Sequence, residues 1–233
     1  MIRLMGVPEV CLAGMMAVVA GLDRTAMLQV MVSRPLVVAP VAGLLLGCPE
    51  EGLQIGLMCE LLWLGRLPIG AAIPPDDTQV AIGATTLVAM QGSADVGGLP
   101  LALLCLLVAI PLGKTGQIFD LKARQWNGRL QQRWDVCLDA GDLGSLEKIH
   151  LRGVLNFALA SIGTFLVVVL VGSPLVEMVK GVLLPMLQPV AGWLRLSLVA
   201  IGVAGIVGSL NVGRTLTLFC ASFLTGLMVL WLL

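Results

Sequence analysis

The last third of this chain leaves few folds open. Four apolar runs, 151–172, 175–190, 193–210 and 215–233, follow one another with only Ser173-Pro174, Pro189 to Gly192 and Asn211 to Arg214 between them. None alternates with period two, which argues against the lipid-facing strands of a barrel. In a bilayer the backbone polar groups must be satisfied within the segment itself, so runs of this kind are expected as helices. Composition extends the inference to the whole chain. It is 58% hydrophobic and 12% charged, with a mean hydropathy of +1.00, against about 25% charged residues in a soluble domain. The expected class is an all-α polytopic membrane protein, with apolar sequence for about seven to nine spans or half-spans.

Other classes are disfavoured by what is scarce. Formal net charge is zero, so no electrostatic footprint for nucleic acid exists. Six cysteines are scattered without a CxxC or a Cys/His pair, which supports neither a metal site nor a redox motif. They read as small buried hydrophobes, and no cofactor is expected. The N-terminal 7–22 run lacks a clean small-residue cleavage site and reads as a first membrane segment, ended by Asp23-Arg24. Residues 25–33 read as an interfacial or partly buried connection.

Residues 34–86 differ from the rest of the apolar sequence. Here Glu50, Glu51, Glu60, Arg66, Asp76 and Asp77 lie among short hydrophobic segments interrupted by Gly and Pro. Pro35 suits the first turn of a helix, and the run it opens ends near Leu46, too short to cross comfortably. Cys48-Pro49-Glu50-Glu51 breaks it, and a second short run extends from Gly52 to Leu64. Two short helices and a polar turn predict a re-entrant hairpin, tolerated where protein or a water-filled cavity surrounds its tip. Glu50 and Glu51 are expected at that tip, facing water. Gly43xxxGly47 and Gly52xxxGly56 would let the two backbones approach. Residues 69–75 should be extended, with a new apolar segment at 78–91.

Glu60, inside GLMCELLWLG, is the leading binding candidate. A carboxylate at the centre of a bilayer costs roughly 2.5–3.5 kcal/mol on insertion scales, which makes function the default expectation. It could accept hydrogen bonds from a polar solute or hold a proton or cation; a structural role would pair it with Arg66 or with backbone donors near the hairpin. Trp63 could offer a flat face to a sugar ring or be an ordinary core residue. Of the two aspartates, Asp77 is expected nearer the helix cap and Asp76 nearer the site. Gln54 could add an amide. No catalytic residue is expected: His150, the only histidine, has no acid–base setting, and GKTG at 113–116 lacks the upstream Gly of a phosphate-binding loop.

Residues 114–150 change character. The window 114–152 holds seven of the fourteen basic residues, which marks it as cytoplasmic. Leu121, Trp126, Leu130 and Trp134 recur near helical spacing, so part of it should be an amphipathic helix. The chain thus divides into membrane segments at 1–113 with a substrate-site core at 34–90, a cytoplasmic segment at 114–150, and membrane segments at 151–233.

RPLVVAPVAGLLLG, GLMCELLWLG and PIGAAIPPD together resemble the IIC subunit of the mannose/fructose/sorbose type of bacterial phosphotransferase system. The similarity extends more loosely through DLGSLEKIH to the Asn211 region. The resemblance implies a multi-pass sugar permease of the bacterial inner membrane with an elevator-type core, paired with a IID membrane subunit. The pair would form a higher oligomer. Cytoplasmic IIA and IIB would carry the phosphoryl group from phosphoenolpyruvate, and sugar would be phosphorylated as it is delivered inward. Glu60 and the segment holding Asp76 would contact the sugar. Pro68 stands where mannose-type members tend to have Asn, and Asp77 adds a second carboxylate. From the residues alone, a cation- or proton-coupled carrier using the same carboxylates is the alternative, and a membrane scaffold without transport is a third reading.

Overall fold

The computed structural model describes residues 6–64, 73–92, 98–209 and 214–232. Nine helices and no strand occur among them. They are α1 (Val7–Thr25), α2 (Pro35–Leu46), α3 (Pro49–Trp63), α4 (Asp77–Gln91) and α5 (Leu99–Gly113). Then follow α6 (Thr115–Asp139), α7 (Leu143–Leu187), α8 (Ala191–Ser209) and α9 (Thr215–Leu232). By length and composition, three helical stretches could cross a membrane: Leu99–Asp139, Leu143–Leu187 and Ala191–Gly208.

Helix α4 is the core. Thr78 to Val88 are buried without interruption, so the helix is hydrophobic all round and needs partners on every side. It has them in α1, α2, α3, α5 and α7. Two of its polar side chains are satisfied within the helix: Thr85 and Thr86 donate to the carbonyls of Ala81 and Ile82, each at 2.8 Å. Gln79, fully buried, donates from Nε2 to the Ala17 carbonyl at 2.8 Å and so ties α4 to α1.

Helices α2 and α3 pack against each other as a hairpin. At 12 and 15 residues they are about 18 and 22 Å long, short of the roughly 30 Å of a hydrocarbon core. Gly47 turns the chain with φ +82°, a conformation glycine adopts without penalty. Contact between the helices depends on three other glycines. A Cβ on Gly43 would meet the Cys48 carbonyl oxygen at 2.5 Å, one on Gly52 that of Ala39 at 2.5 Å, and one on Gly56 that of Pro35 at 2.6 Å. One expectation for this hairpin fails. Glu51 is 8% exposed and does not face water; its Oε1 accepts the backbone N–H of Gly98 at 3.0 Å. The carboxylate satisfies an orphan donor at the start of α5, which leaves only Glu50 exposed at the turn.

The break expected at Ser173-Pro174 is also absent. Helix α7 runs 45 residues through Pro174 and Pro185. An interior proline removes one backbone hydrogen bond, but Phe165, Val168, Val169, Gly172 and Val176 are buried on either side of Pro174. Packing on both flanks holds the helix through the defect. Helix α6 and the start of α7 form an antiparallel pair, tied where Asn127 Nδ2 donates to the Gly153 carbonyl at 3.2 Å and Asn156 to Asn127 at 2.7 Å. Asp142 caps α7 by accepting the Ser145 N–H at 3.1 Å. Of the expected amphipathic face, Leu130 and Trp134 turn toward α7, while Leu121 and Trp126 are exposed.

Candidate functional site

The site begins with a loop that the chain has to hold against its own preferences. Between α1 and α2, Leu28, Gln29 and Met31 take φ of +59°, +53° and +68°. Each such non-glycine residue costs roughly 1–2 kcal/mol and persists where surroundings over-determine it. Asp23, 5% exposed at the end of α1, provides much of that constraint. Its Oδ1 accepts the Val30 N–H and its Oδ2 the Ser33 N–H, both at 2.9 Å. From the other side, Thr78 Oγ1 in α4 donates to the Ser33 carbonyl at 2.8 Å. Loop 26–34 is therefore fastened to two helices.

Of the stretch 69–75 expected to be extended, 69–72 lie outside the described residues; residues 73–76, before α4, are fastened just as firmly. Arg24 forms an ion pair with Asp76, lies 3.9 Å from Asp77 Oδ1, and donates to the Pro75 carbonyl at 3.4 Å. Gln117 Nε2 in α6 donates to the Ile73 carbonyl at 2.6 Å. Asp76, not Asp77, is the N-cap of α4, accepting the Gln79 N–H at 3.1 Å. The expected division of labour between the two aspartates is thus reversed. Asp76 has a non-helical backbone, φ −81° and ψ 84°, from which its side chain reaches the third helical N–H, whereas Asp77 is already helical.

These two fastened segments border a half-open cavity of 260 Å³ lined by Asp23, Arg24, Gln29, Met31, Ser33, Arg34, Trp63, Pro74, Pro75, Asp77 and Thr78. It offers acceptors at Asp77, donors at Arg34 and Arg24, and both kinds at Gln29, Ser33 and Thr78. Trp63, 8% exposed, gives one apolar wall. Convergent polar groups around an apolar face are what a small polar ligand requires. Among the described residues no cluster of His, Cys, Asp and Glu could hold a metal.

The expected site residues divide accordingly. Asp77 and Trp63 line the cavity, and Asp76 faces a neighbouring space of 310 Å³ toward α6 and α7. Glu60 is one side chain away: its Oε1 lies 3.3 Å from Arg34 Nη1, and its Oε2 accepts the Leu36 N–H at 3.4 Å. The carboxylate therefore sits at the positive end of α2, where a free N–H and the helix dipole favour an anion. Arg66, the partner expected from sequence, and Pro68 lie outside the described residues. Gln54 lines neither space, and its Oε1 is buried without a hydrogen bond among the described residues. Asp23, Arg24, Gln29, Ser33, Arg34 and Thr78 were not singled out by sequence. The only signal was the charged pair Asp23-Arg24 at the end of an apolar run, which reads equally as a helix stop.

Comparison with known proteins agrees with this architecture. Residues 7–230 match the family model described as the sorbose-specific IIC component of the phosphotransferase system. The mannose-specific EIIC component of Escherichia coli K12 is 27% identical over 197 residues, covering 83% of this chain and 70% of that protein. The sorbose-specific EIIC component of Lacticaseibacillus casei is 28% identical over 197 residues, covering 83% and 68%. Among solved structures, one described as a membrane protein superposes with a TM-score of 0.72 at 24% identity, covering 95% of this chain and 87% of that one. The mannose transporter ManYZ in complex with microcin E492 gives 0.61, with the same identity and coverage; at this identity both bear on the fold alone. With a match over nearly its whole length and an all-helical membrane architecture to carry it, the chain belongs to the sugar-specific IIC permease components of the mannose/fructose/sorbose phosphotransferase family.

Proposed function

We propose that the cavity between loop 26–34 and the start of α4 is the sugar site of this permease. One observation carries the reading: Asp77, Arg34, Gln29, Ser33 and Thr78 converge beside Trp63 on a half-open space of 260 Å³. A hexose presents hydroxyls that both donate and accept, and its apolar ring face suits a buried indole. Asp77 would accept from hydroxyls, Arg34 and Gln29 would donate to them, and Glu60 would hold Arg34 in place from behind.

The chain would carry such a sugar inward across the bacterial inner membrane together with a IID membrane subunit, in a higher oligomer of that pair. Its only histidine, His150, is exposed on the first turns of α7 and lines a different cavity from the sugar site. That placement supports phosphoryl transfer from phosphoenolpyruvate residing in cytoplasmic IIA and IIB partners. The α2–α3 hairpin, too short to span and attached to the site through Glu60 and Arg34, would travel with the sugar in an elevator-like step. Segment 114–150 would face the cytoplasm.

The test is uptake of labelled mannose, fructose and sorbose by cells expressing this chain with a IID subunit. The sugar is expected inside as its phosphate, and Asp77→Asn should reduce uptake about tenfold or more, the size of a lost hydrogen bond to a charged group. Uptake unchanged by that substitution removes the site. Accumulation of unmodified sugar that collapses with an ionophore removes the coupling to phosphorylation.

A further inference from the structure

The sugar cavity and its 310 Å³ neighbour adjoin: Arg24, Gln29 and Pro74 line both. Arg24 stands in the wall between them, paired with Asp76 and 3.9 Å from Asp77 Oδ1. Asp77 faces the first space and Asp76 the second. The second is also walled by Gly116, Asp120 and Arg124 of α6. These belong to the segment whose charge marks it as cytoplasmic, the side to which sugar would be delivered.

The chemistry of that second wall suits the same kind of solute. Thr25, Ser161 and Thr164 line it. Each hydroxyl spends its hydrogen on a carbonyl of its own helix: Gly21 at 2.9 Å, Phe157 at 3.0 Å and Ala160 at 2.9 Å. The oxygens keep lone pairs with which to accept. Asp120 adds another acceptor. Its Oδ2 takes Arg124 Nε at 3.0 Å, but its Oδ1 is buried with no hydrogen bond among the described residues. A buried carboxylate oxygen without a donor is costly. Arg24 and Arg124 balance Asp76 and Asp120 in charge, so the space suits a neutral molecule rich in hydroxyl donors. Phe157 gives it an apolar face.

Arg24 can change partner without stripping either carboxylate. It meets Asp76 at Oδ1, which also accepts the Gln79 N–H at 3.1 Å, so α4 stays capped if Arg24 leaves. On the other side, Asp120 keeps Arg124 on Oδ2 while Oδ1 has no donor, and Asp120 already attracts Arg24 through space. We propose that the 310 Å³ cavity is a second sugar-holding chamber, and that Arg24 opens the passage into it by moving from Asp76 to Asp120. The chamber receives the sugar before its release. This rests on the first cavity being the sugar site.

The test uses Ala160→Cys, on the wall of the second cavity, in a full-length chain lacking the native cysteines and expressed with a IID subunit. Benzyl methanethiosulfonate, which is neutral, forms a mixed disulfide with that thiol and fills the space. Uptake of labelled mannose, fructose or sorbose should fall about tenfold or more and return with dithiothreitol, the size of a lost hydrogen bond to a charged group. The affinity of the purified complex for that sugar should change less than about twofold. Asp120→Asn should lower uptake about tenfold with affinity kept, and Asp120→Glu should recover most of it. Unchanged uptake after complete modification overturns the chamber, as does a thiol that the reagent cannot reach. Affinity lost together with uptake makes the two spaces one site and overturns their separation. Full uptake by Asp120→Asn overturns the change of partner. Asp77→Asn separates this proposal from the one beneath it. If that substitution leaves affinity unchanged, or none of the three sugars enters, the sugar site and the chamber fall together. If it abolishes affinity while modification at 160 leaves uptake intact, the chamber alone falls.

Discussion

At the scale of single residues, the fold separates carboxylates that look alike in sequence. Glu60 was conspicuous because a carboxylate among apolar residues is expensive. Folded, it reaches Arg34 and the first turn of α2 and does not line the cavity. Asp77, one of two adjacent aspartates and read as a cap, is the carboxylate on the cavity wall. The two should separate experimentally. With purified protein, Asp77→Asn is expected to weaken equilibrium sugar binding by about tenfold or more, whereas Glu60→Gln should change it less, because Arg34 stays tethered to α2. An equal loss in both would return Glu60 to direct contact. Gly202 makes a purely steric prediction: a Cβ there would lie 1.7 Å from the Leu61 carbonyl oxygen, while at Gly205 nothing stands within 4 Å. Gly202→Ala should therefore destabilise by about 1–3 kcal/mol, read as a lower melting temperature in detergent, with Gly205→Ala close to neutral.

At the scale of elements, the short segments are held by what fastens them more than by their own length. The stretch before α4 depends on Arg24, whose side chain is 23% exposed and whose partner Asp76 is 14% exposed. Removing one member of a largely buried pair leaves the other uncompensated. Arg24→Ala should cost roughly 3–5 kcal/mol. The double variant Arg24→Gln with Asp76→Asn should recover part of it in a thermal-stability cycle, and additivity of the two single effects would show that the pair is not coupled. In the hairpin, Gly52→Val should force α2 away from α3, because its first side-chain atom already meets the Ala39 carbonyl oxygen at 2.5 Å. Loss of transport with retained expression is the expected result; full transport would show that the close approach is dispensable. The glycine spacing that predicted this approach was legible because two small residues one turn apart expose backbone on a single helix face. Continuity of α7 through Pro174 was not legible, because the residues that hold it sit on α4 and α5 as much as on α7 itself.

At the scale of the whole molecule, the charge asymmetry of 114–152 sets an expected orientation. A cysteine introduced at Asp139, in a background lacking the native cysteines, should react with a membrane-impermeant maleimide in inside-out vesicles and not in right-side-out ones. The reverse pattern would invert the chain. The architecture also explains why α4, the most buried helix, shows so little in sequence. It is apolar on all faces, so it has no periodic stripe to distinguish it from a lipid-facing segment. Its central position is visible only through partners such as Gly83, where a Cβ would lie 2.4 Å from Val168 Cγ1.

By itself the sequence determined the all-helical class, the presence of a short α2–α3 hairpin, the basic segment between apolar regions and, through its motifs, the family. These follow from local quantities: hydropathy, small-residue spacing, the placement of proline and glycine, and charge. Tertiary structure alone decided which polar side chains meet. Asp23 had to reach seven and ten residues along the chain to hold Val30 and Ser33, Arg24 had to cross 51 residues to Pro75, and Glu51 had to find Gly98. A carboxylate among apolar residues demands a partner, but the partner's identity depends on which helices lie side by side, and that is fixed by packing around α4.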